Sequence, residues 1–214
     1  MDVLSNVLSV TNLATQVLSA REFVAPWSVQ MPAQGHAAIY IVRRGSCWLK
    51  NADGEVVRLN AGDVALLATG DVHSLSSDRD MREPEAYQDA IARSQGSVVP
   101  PRDGRADPAI EPTLLQSAVY RFSHDTAHPL LSLLPAIIRL PVDQAHSDSE
   151  LQTLLRLIGS ETGRRESGSD LVVPKLIDAL FVYVLRTWMK EHPEGSAGRD
   201  GRFRDPQIRE RLSQ

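Results

Sequence analysis

Cysteine is almost absent from this chain of 214 residues, which has only Cys47. A single cysteine excludes an internal disulfide, and the lack of a cysteine pair excludes the usual structural zinc motifs. We therefore expect a reducing compartment and predict a cytoplasmic location. No charge of one sign dominates, because the formal net charge is −4 and the isoelectric point is near 5.9. This balance gives no general reason for attraction to the phosphates of nucleic acids.

Signals for secretion and for membrane insertion are also lacking. The start, MDVLSNVLSV, has an acidic residue and no basic cluster, unlike a signal peptide. The most apolar segment, residues 171–190, is interrupted by Lys175, Asp178 and Arg186, which are costly inside a bilayer. We expect a buried helix in this segment and no membrane partner.

The common catalytic motifs are missing as well. The sequence has no G-x-S-x-G elbow and no glycine-rich phosphate loop, and Cys47 lies in a β-pattern where a lone thiol is usually buried. The segment HDTAH, residues 124–128, spaces two histidines as zinc proteases do, but Pro129 follows at once and disfavours the continuous helix this motif needs. We predict a surface turn at HDTAH and no catalytic residue, metal or cofactor.

The first part of the sequence is rich in β-strand patterns. From about residue 10 to residue 77, short apolar runs alternate with Gly, Asn and Asp turns, which predicts the strands of a sandwich or small barrel. NADGE, residues 51–55, predicts a hairpin turn in which Gly54 supplies a positive φ. Residues 78–112 carry five prolines without sustained periodicity, which predicts a long mobile loop. A further strand is expected over residues 113–122.

Beyond His128 the apolar spacing becomes helical. The pattern predicts an apolar stretch over 129–140 that is kinked or ended near Pro135, a capped helix over 147–161 and a longer helix over 171–190. The last helix is apolar on more than one face, which is typical of a helix covered on two sides. We predict that one stripe forms a dimer interface, the alternative being burial within its own subunit; the stripe consists of Val173, Ile177, Leu180, Val184 and Trp188.

The most regular spacing lies in GDVALLATGDVHSL, residues 62–75. Gly62, Gly70 and His73 resemble the second signature of the cupin superfamily, G-x5-P-x-G-x2-H-x3-N, although Ala68 replaces its proline and Ser77 its asparagine. Aligning the first signature on its final glycine, Gly45, places the metal-binding carboxylate at Ala38 and the histidines near residues 32–34, so these three ligands are missing.

Strand alternation extends this comparison to the side chains near His73. If position 38 points into the barrel, so do His36 and Tyr40, and His36 could meet His73 inside. Two imidazoles without a carboxylate are too few for the usual metal of this fold. Three interpretations of His73 stay open: a turn histidine bonded to backbone, a contact for an organic ligand, or a metal ligand.

Taken together, the motifs of the whole chain are similar to the sensor half of AraC-type transcriptional regulators. The similar segments, in order, are VLSVTNLATQVLSAREFVAPWSVQMP, IVRRGSCWL, LNAGDVALLATGDVHSL, HPLLSLLPAIIRLP, the two following helices and RDPQIRERLSQ. Family members often carry histidine at the position of Tyr40 and Cys-Gly at the position of Ser117 and Ala118. The resemblance implies that the barrel binds a small effector, that the chain forms a homodimer, and that DNA is bound by a C-terminal domain missing from this chain.

We therefore predict a mainly β fold with helices, a cupin-like double-stranded β-helix or jelly-roll barrel, followed by a helical dimerisation segment. The expected divisions are 1–128 for the barrel, 129–192 for the helical segment, and 193–214 for a linker towards a helix-turn-helix domain. The predicted effector site comprises His36, Tyr40 and His73, with Trp27 at its rim. Two alternatives to a non-enzymatic sensor remain, namely a metal-dependent cupin isomerase or dioxygenase and a stand-alone interaction module.

Overall fold

The computed structural model describes residues 14–33, 36–80, 83–121, 134–141, 149–164 and 166–191. The HDTAH segment and the predicted linker 193–214 lie outside these ranges. The described strands are β1 Ala14–Phe23, β2 Ser28–Met31, β3 Ala37–Arg44, β4 Ser46–Asn51, β5 Val56–Asn60, β6 Val64–Leu67, β7 His73–Ser76, β8 Glu85–Ala86, β9 Val98–Val99, β10 Thr113–Arg121 and β11 Ile137–Leu140. The described helices are α1 Tyr87–Ala92, α2 Ser149–Arg164 and α3 Ser169–Glu191.

The strands form two sheets that share an apolar core. The first sheet has six strands in the order β11-β6-β3-β10-β1-β9, and the second has five in the order β5-β4-β7-β2-β8. Pairing is antiparallel except for β9 beside β1 and β8 beside β2. The NADGE turn joins β4 to β5, and Gly54 there has a φ of 85°. This confirms the predicted hairpin.

A second core lies on the other face of the first sheet, where α2 and α3 cover it. Strand β3 shows the division, because Tyr40 and Val42 belong to the core between the sheets whereas Ile39 and Ile41 belong to the core under the helices. A strand buried on both faces needs apolar residues at nearly every position, which explains the continuous run AAIYIV. The helices and barrel are therefore packed through one shared sheet.

The segment 78–112 is more ordered in structure than its sequence predicts. It contains β8, β9 and the short helix α1, and β8 and β9 pair in parallel with the edge strands β2 and β1. The prediction of a long loop without regular structure is therefore wrong. The physical reason is a pair of small apolar anchors, Ala90 and Val99, which are buried in the core between the sheets.

The first part of the predicted helical region also needs correction. Residues Ile137–Leu140 are a strand, β11, which pairs with β6 and extends the first sheet beyond the predicted barrel boundary at residue 128. Ile137 faces the core between the sheets, while Ile138 faces the core under the helices. In addition, the Arg139 guanidinium bonds the buried Asp63 carboxylate at 2.8 Å. Burial on both faces favours a strand here, although the apolar spacing alone suggests a helix.

The two long helices lie close to their predicted positions, but the predicted dimer stripe does not face outwards. All five of its residues are buried in the core against the first sheet of the same subunit: Val173, Ile177, Leu180, Val184 and Trp188. Their assignment to a subunit interface is therefore wrong, and the alternative of burial within the subunit describes them. Among the described residues, no helix has the length and apolar character to cross a membrane.

Candidate functional site

His73 is the first residue of β7, and its side chain points into the barrel. Its ring is buried, its Nδ1 lies 2.7 Å from the carbonyl oxygen of Asp71, and its Nε2 lies 2.6 Å from the hydroxyl of Tyr40. A carbonyl oxygen can only accept, so Nδ1 carries the hydrogen and Nε2 accepts from the Tyr40 hydroxyl. Both ring nitrogens are thus already used in hydrogen bonds.

Burial determines the charge states of this pair. Desolvation lowers the pKa of His73, against the opposing effect of the Asp71 carbonyl and carboxylate. The same cause raises the pKa of Tyr40, which is buried between the sheets. The site therefore consists of a neutral imidazole and a neutral phenol, each stabilised in the form that suits their mutual hydrogen bond.

The signature glycine Gly70 brings the chain at His36 against this turn. Gly70 has a φ of +63°, and a Cβ built on it would lie 1.9 Å from the carbonyl oxygen of His36. No side chain fits between these backbones. Close approach to His36, together with the left-handed conformation, explains the glycine at this position of the cupin signature.

His36, Tyr40 and His73 are brought together as the sequence predicts, but the space between them is small. They line one cavity of about 10 Å³, together with Met31, Pro32, Ala38, Gly70 and Val119. A cavity of this size has room for about one water molecule. This cavity is therefore too small to hold an organic molecule.

Trp27, the predicted rim residue, lies elsewhere. Its ring stacks on Phe23 at 4.5 Å between centroids, and it is buried in the core between the sheets. Its backbone amide donates to the hydroxyl of Ser77, the residue that replaces the signature asparagine. Trp27 does not line the cavity of His36, Tyr40 and His73.

These residues do not fit the metal centre that the cupin fold often carries. Ala38 occupies the position of the carboxylate ligand and offers no donor atom, and both nitrogens of His73 are occupied. Within the ranges that the structure describes, no three His, Cys, Asp or Glu side chains lie together as a group able to hold an ion. Cys47 is buried, and its pKa is raised to about 12 by desolvation and by nearby Asp63.

The structure has a larger groove on the solvent side of His73 that the sequence does not predict. It measures about 570 Å³, and its lining includes His73, the strand residues Gln30, Lys50 and Ser74, and Arg79 and Asp80 from the segment after β7. Alternation along β4 could have indicated that Lys50 faces outwards, since Leu49 and Asn51 are buried. The path of the segment after Ser76, which forms one wall, has no comparable signal in the sequence.

The amino-acid sequence is similar to those of known transcriptional regulators. The chain is 27% identical over 210 residues to an AraC-like transcription regulator of Streptomyces lividans, a match covering 97% of this chain and 66% of that protein. It is 26% identical over 194 residues to the HTH-type transcriptional regulator AlkR of Acinetobacter baylyi, covering 87% of this chain and 60% of AlkR. The chain thus spans about two thirds or less of the length of these relatives, and its resemblance to AraC-type regulators is confirmed at the level of sequence.

The chain is also similar to a solved regulator structure and to a family model. Fatty-acid-bound ToxT of Vibrio cholerae matches with 10% identity and a TM-score of 0.45, over 85% of this chain and 57% of ToxT. The sequence model of the cupin family matches residues 2–190. This match and the double-sheet architecture confirm the predicted fold class, and the chain belongs to the cupin family.

Proposed function

We propose that this chain is the ligand-sensing and dimerisation part of a bacterial AraC-type transcriptional regulator. The observation that carries the proposal is the extent of the two regulator matches, which take in 97% and 87% of this chain but only 66% and 60% of the relatives. The remainder of such a regulator would supply DNA binding through a helix-turn-helix domain. This chain would then contact DNA only through that further domain.

The chemistry of the site favours binding over catalysis. His73 is neutral and has both nitrogens engaged, so it offers neither a free base nor a metal ligand, and Tyr40 is held as a hydrogen-bond donor. The mechanism we propose is linkage: an effector that prefers one arrangement of the barrel and helices shifts the population towards it, and the DNA-binding part responds to that shift. No covalent step is required.

We place effector recognition at the end of the barrel where His36, Tyr40 and His73 meet. The interior cavity of about 10 Å³ is too small for an organic effector. An effector must therefore lie on the solvent side of His73, or else separate the Tyr40 hydroxyl from the imidazole. In both cases His73 is the residue that the effector contacts or displaces.

Homodimerisation remains part of the proposal, but through a different surface from the buried stripe. The helical pair exposes three large apolar side chains, Leu157 on α2 and Leu171 and Val172 on α3, with exposed fractions of 46%, 79% and 44%. We expect the double variant Leu171→Ser, Val172→Ser to shift the chain from dimer to monomer in sedimentation velocity. Ile110→Ser, at a position outside the helices whose exposed fraction of 40% is close to that of Val172, is the control. A monomeric parent chain, or a dimer unaffected by the double variant, contradicts this surface.

The regulatory proposal is tested with residues 1–214 fused to a DNA-binding domain that represses a reporter only as a dimer. We expect the fusion to repress, and small molecules from the host's growth medium and metabolism to change the repression. Metal analysis of the purified chain examines the enzyme alternative, since stoichiometric, tightly bound iron, manganese or zinc would contradict a non-enzymatic sensor. An absence of repression at full expression of the fusion would contradict the dimeric sensor.

A further inference from the structure

We propose that the groove on the solvent side of His73 binds a small organic carboxylate. This names the chemical class of the effector and therefore rests on the proposed sensing function. The groove lies on the outer face of the second sheet, with the segment after β7 as its wall, and its volume of about 570 Å³ is within the range usual for small-molecule sites. The barrel interior, by contrast, has a cavity of only about 10 Å³.

The floor of the groove is a row of three hydrogen-bonding side chains across neighbouring strands. Ser74 on β7 stands opposite Gln30 on β2 and opposite Lys50 on β4. Residues in such register have Cβ atoms about 4.5–5.5 Å apart, so all three side chains can reach one ligand. Within the described part of the chain, no hydrogen bond or ion pair involves the side chains of these three residues.

Arg79 is held above this floor by an aromatic contact. Its guanidinium carbon lies 5.7 Å from the centre of the Trp48 ring, and that of Arg58 lies 5.8 Å from the same ring. Trp48 precedes Lys50 by two positions on β4, so their side chains share the outer face. Stacking on Trp48 restrains the long Arg79 side chain near Lys50, and it leaves the N–H groups of the guanidinium free to bind an anion.

The charge of the groove favours an anionic ligand. Among the described residues, no carboxylate forms an ion pair with Lys50, Arg58 or Arg79, although the chain as a whole is acidic. Asp80 is the acidic residue of the lining, which also contains Lys50 and Arg79. Two cations against one carboxylate leave the lining positive, and a concave surface concentrates this potential.

The apolar part of the lining selects an organic anion over an inorganic one. Val72, Ala52 and Pro84 line the groove beside the cations, and Val72 is 38% exposed. A carboxylate can pair with the Arg79 fork and with Lys50, while a compact apolar body lies against Val72 and Pro84. Inorganic phosphate satisfies only the first of these contacts. A bound carboxylate would also lie beside His73, which lines both the groove and the interior cavity that Tyr40 lines.

Isothermal titration calorimetry of the purified chain tests the site with benzoate, its neutral isostere benzamide, inorganic phosphate and aliphatic monocarboxylates of two to six carbons. We expect at least one carboxylate to bind, and benzamide to bind at least tenfold more weakly than benzoate where benzoate is that ligand. The double variant Lys50→Met, Arg79→Met should weaken carboxylate binding at least tenfold. Arg102→Met, Arg105→Met is the matched control, because both arginines are exposed and lie outside the groove lining. Circular dichroism checks that both variants are folded.

The outcomes separate this inference from the regulatory proposal. The proposed carboxylate site is refuted if no tested carboxylate binds or if phosphate alone binds. It is also refuted if the Lys50 and Arg79 double variant binds carboxylate as tightly as the parent chain does. A carboxylate that binds through Lys50 and Arg79 but leaves the reporter fusion unchanged supports the site and contradicts the sensing function. A reporter that responds to a ligand equally in the parent and in the variant contradicts the site and leaves the sensing function standing.

Discussion

Protonation of His73 is the perturbation that bears most directly on the candidate site. In the folded chain Nδ1 donates to the carbonyl of Asp71 and Nε2 accepts from the hydroxyl of Tyr40. Adding a proton at Nε2 would remove that acceptor, place a charge in a buried position and leave the Tyr40 hydroxyl to find another partner. These effects agree with the lowered pKa of His73, whose main cause is desolvation.

The sign and the magnitude of the pH effect on the free energy of unfolding follow from the difference in protons bound by the folded and unfolded chains. Between the folded pKa and the unfolded value of 6.5, the unfolded chain binds more protons at His73 than the folded chain does. The free energy of unfolding therefore falls as the pH falls below 6.5, by at most about 1.4 kcal/mol for each pH unit. At pH values well above 6.5 the residue is neutral in both states, and its contribution no longer changes with pH.

Urea unfolding followed by tryptophan fluorescence between pH 8 and pH 5 measures this slope. His73→Gln stays uncharged across the range, so its free energy of unfolding should decrease less below pH 6.5 than that of the parent chain. The other histidines and the carboxylates contribute to both curves and cancel in the difference. Parallel curves for the two proteins over the whole range would refute the lowered pKa of His73 in the folded chain.

Two further substitutions test the parts of the fold that hold the site. Gly70→Ala should destabilise the chain by more than the cost of about 1–2 kcal/mol for its left-handed backbone, because its Cβ would also collide with His36. Gly54→Ala, which has a left-handed backbone but nothing within 4 Å, should show only the backbone cost in urea unfolding. Arg139→Met removes the guanidinium that lies 2.8 Å from the buried Asp63 carboxylate, which keeps the backbone amide of Asn60 as a donor, and should cost about 1.5–3 kcal/mol in the same assay. A loss below about 1 kcal/mol for Arg139→Met would mean that Asp63 does not depend on this ion pair.

The sequence was sufficient to predict the inner side of the site. Alternation along β3, with position 38 facing inwards, placed Tyr40 and His36 towards His73, and the structure has all three around one cavity. It could not predict the size of that cavity, because volume depends on how closely the sheets approach and on which side chains fill the space. It also missed the groove, whose wall is the segment after Ser76 and whose position depends on tertiary contacts such as that of Arg79 with Trp48.

The helices show a related limit of sequence periodicity. The apolar spacing predicts that the stripe with Ile177 and Val184 is buried, and the structure shows that the first sheet of the same subunit buries it. Periodicity reports that a face is buried and not which element buries it. For the segment 78–112 the sequence predicts too little regular structure, because the prolines and charges hide the apolar pattern of the small buried residues Ala90 and Val99.

The first sheet gives a physical basis for coupling between the candidate site and the helices. Strand β3 carries Tyr40 towards His73 on one face and Ile39 and Ile41 into the core under α2 and α3 on the other. The neighbouring strand β10 is also tied to α3, since the Tyr120 hydroxyl donates to the carbonyl of Ile177. We expect a ligand that displaces Tyr40 to perturb β3, whose alternate side chains are packed under the helices. Because packed interiors resist continuous deformation, we expect such a perturbation to reach α2 and α3 as a shift of the helices relative to the sheet.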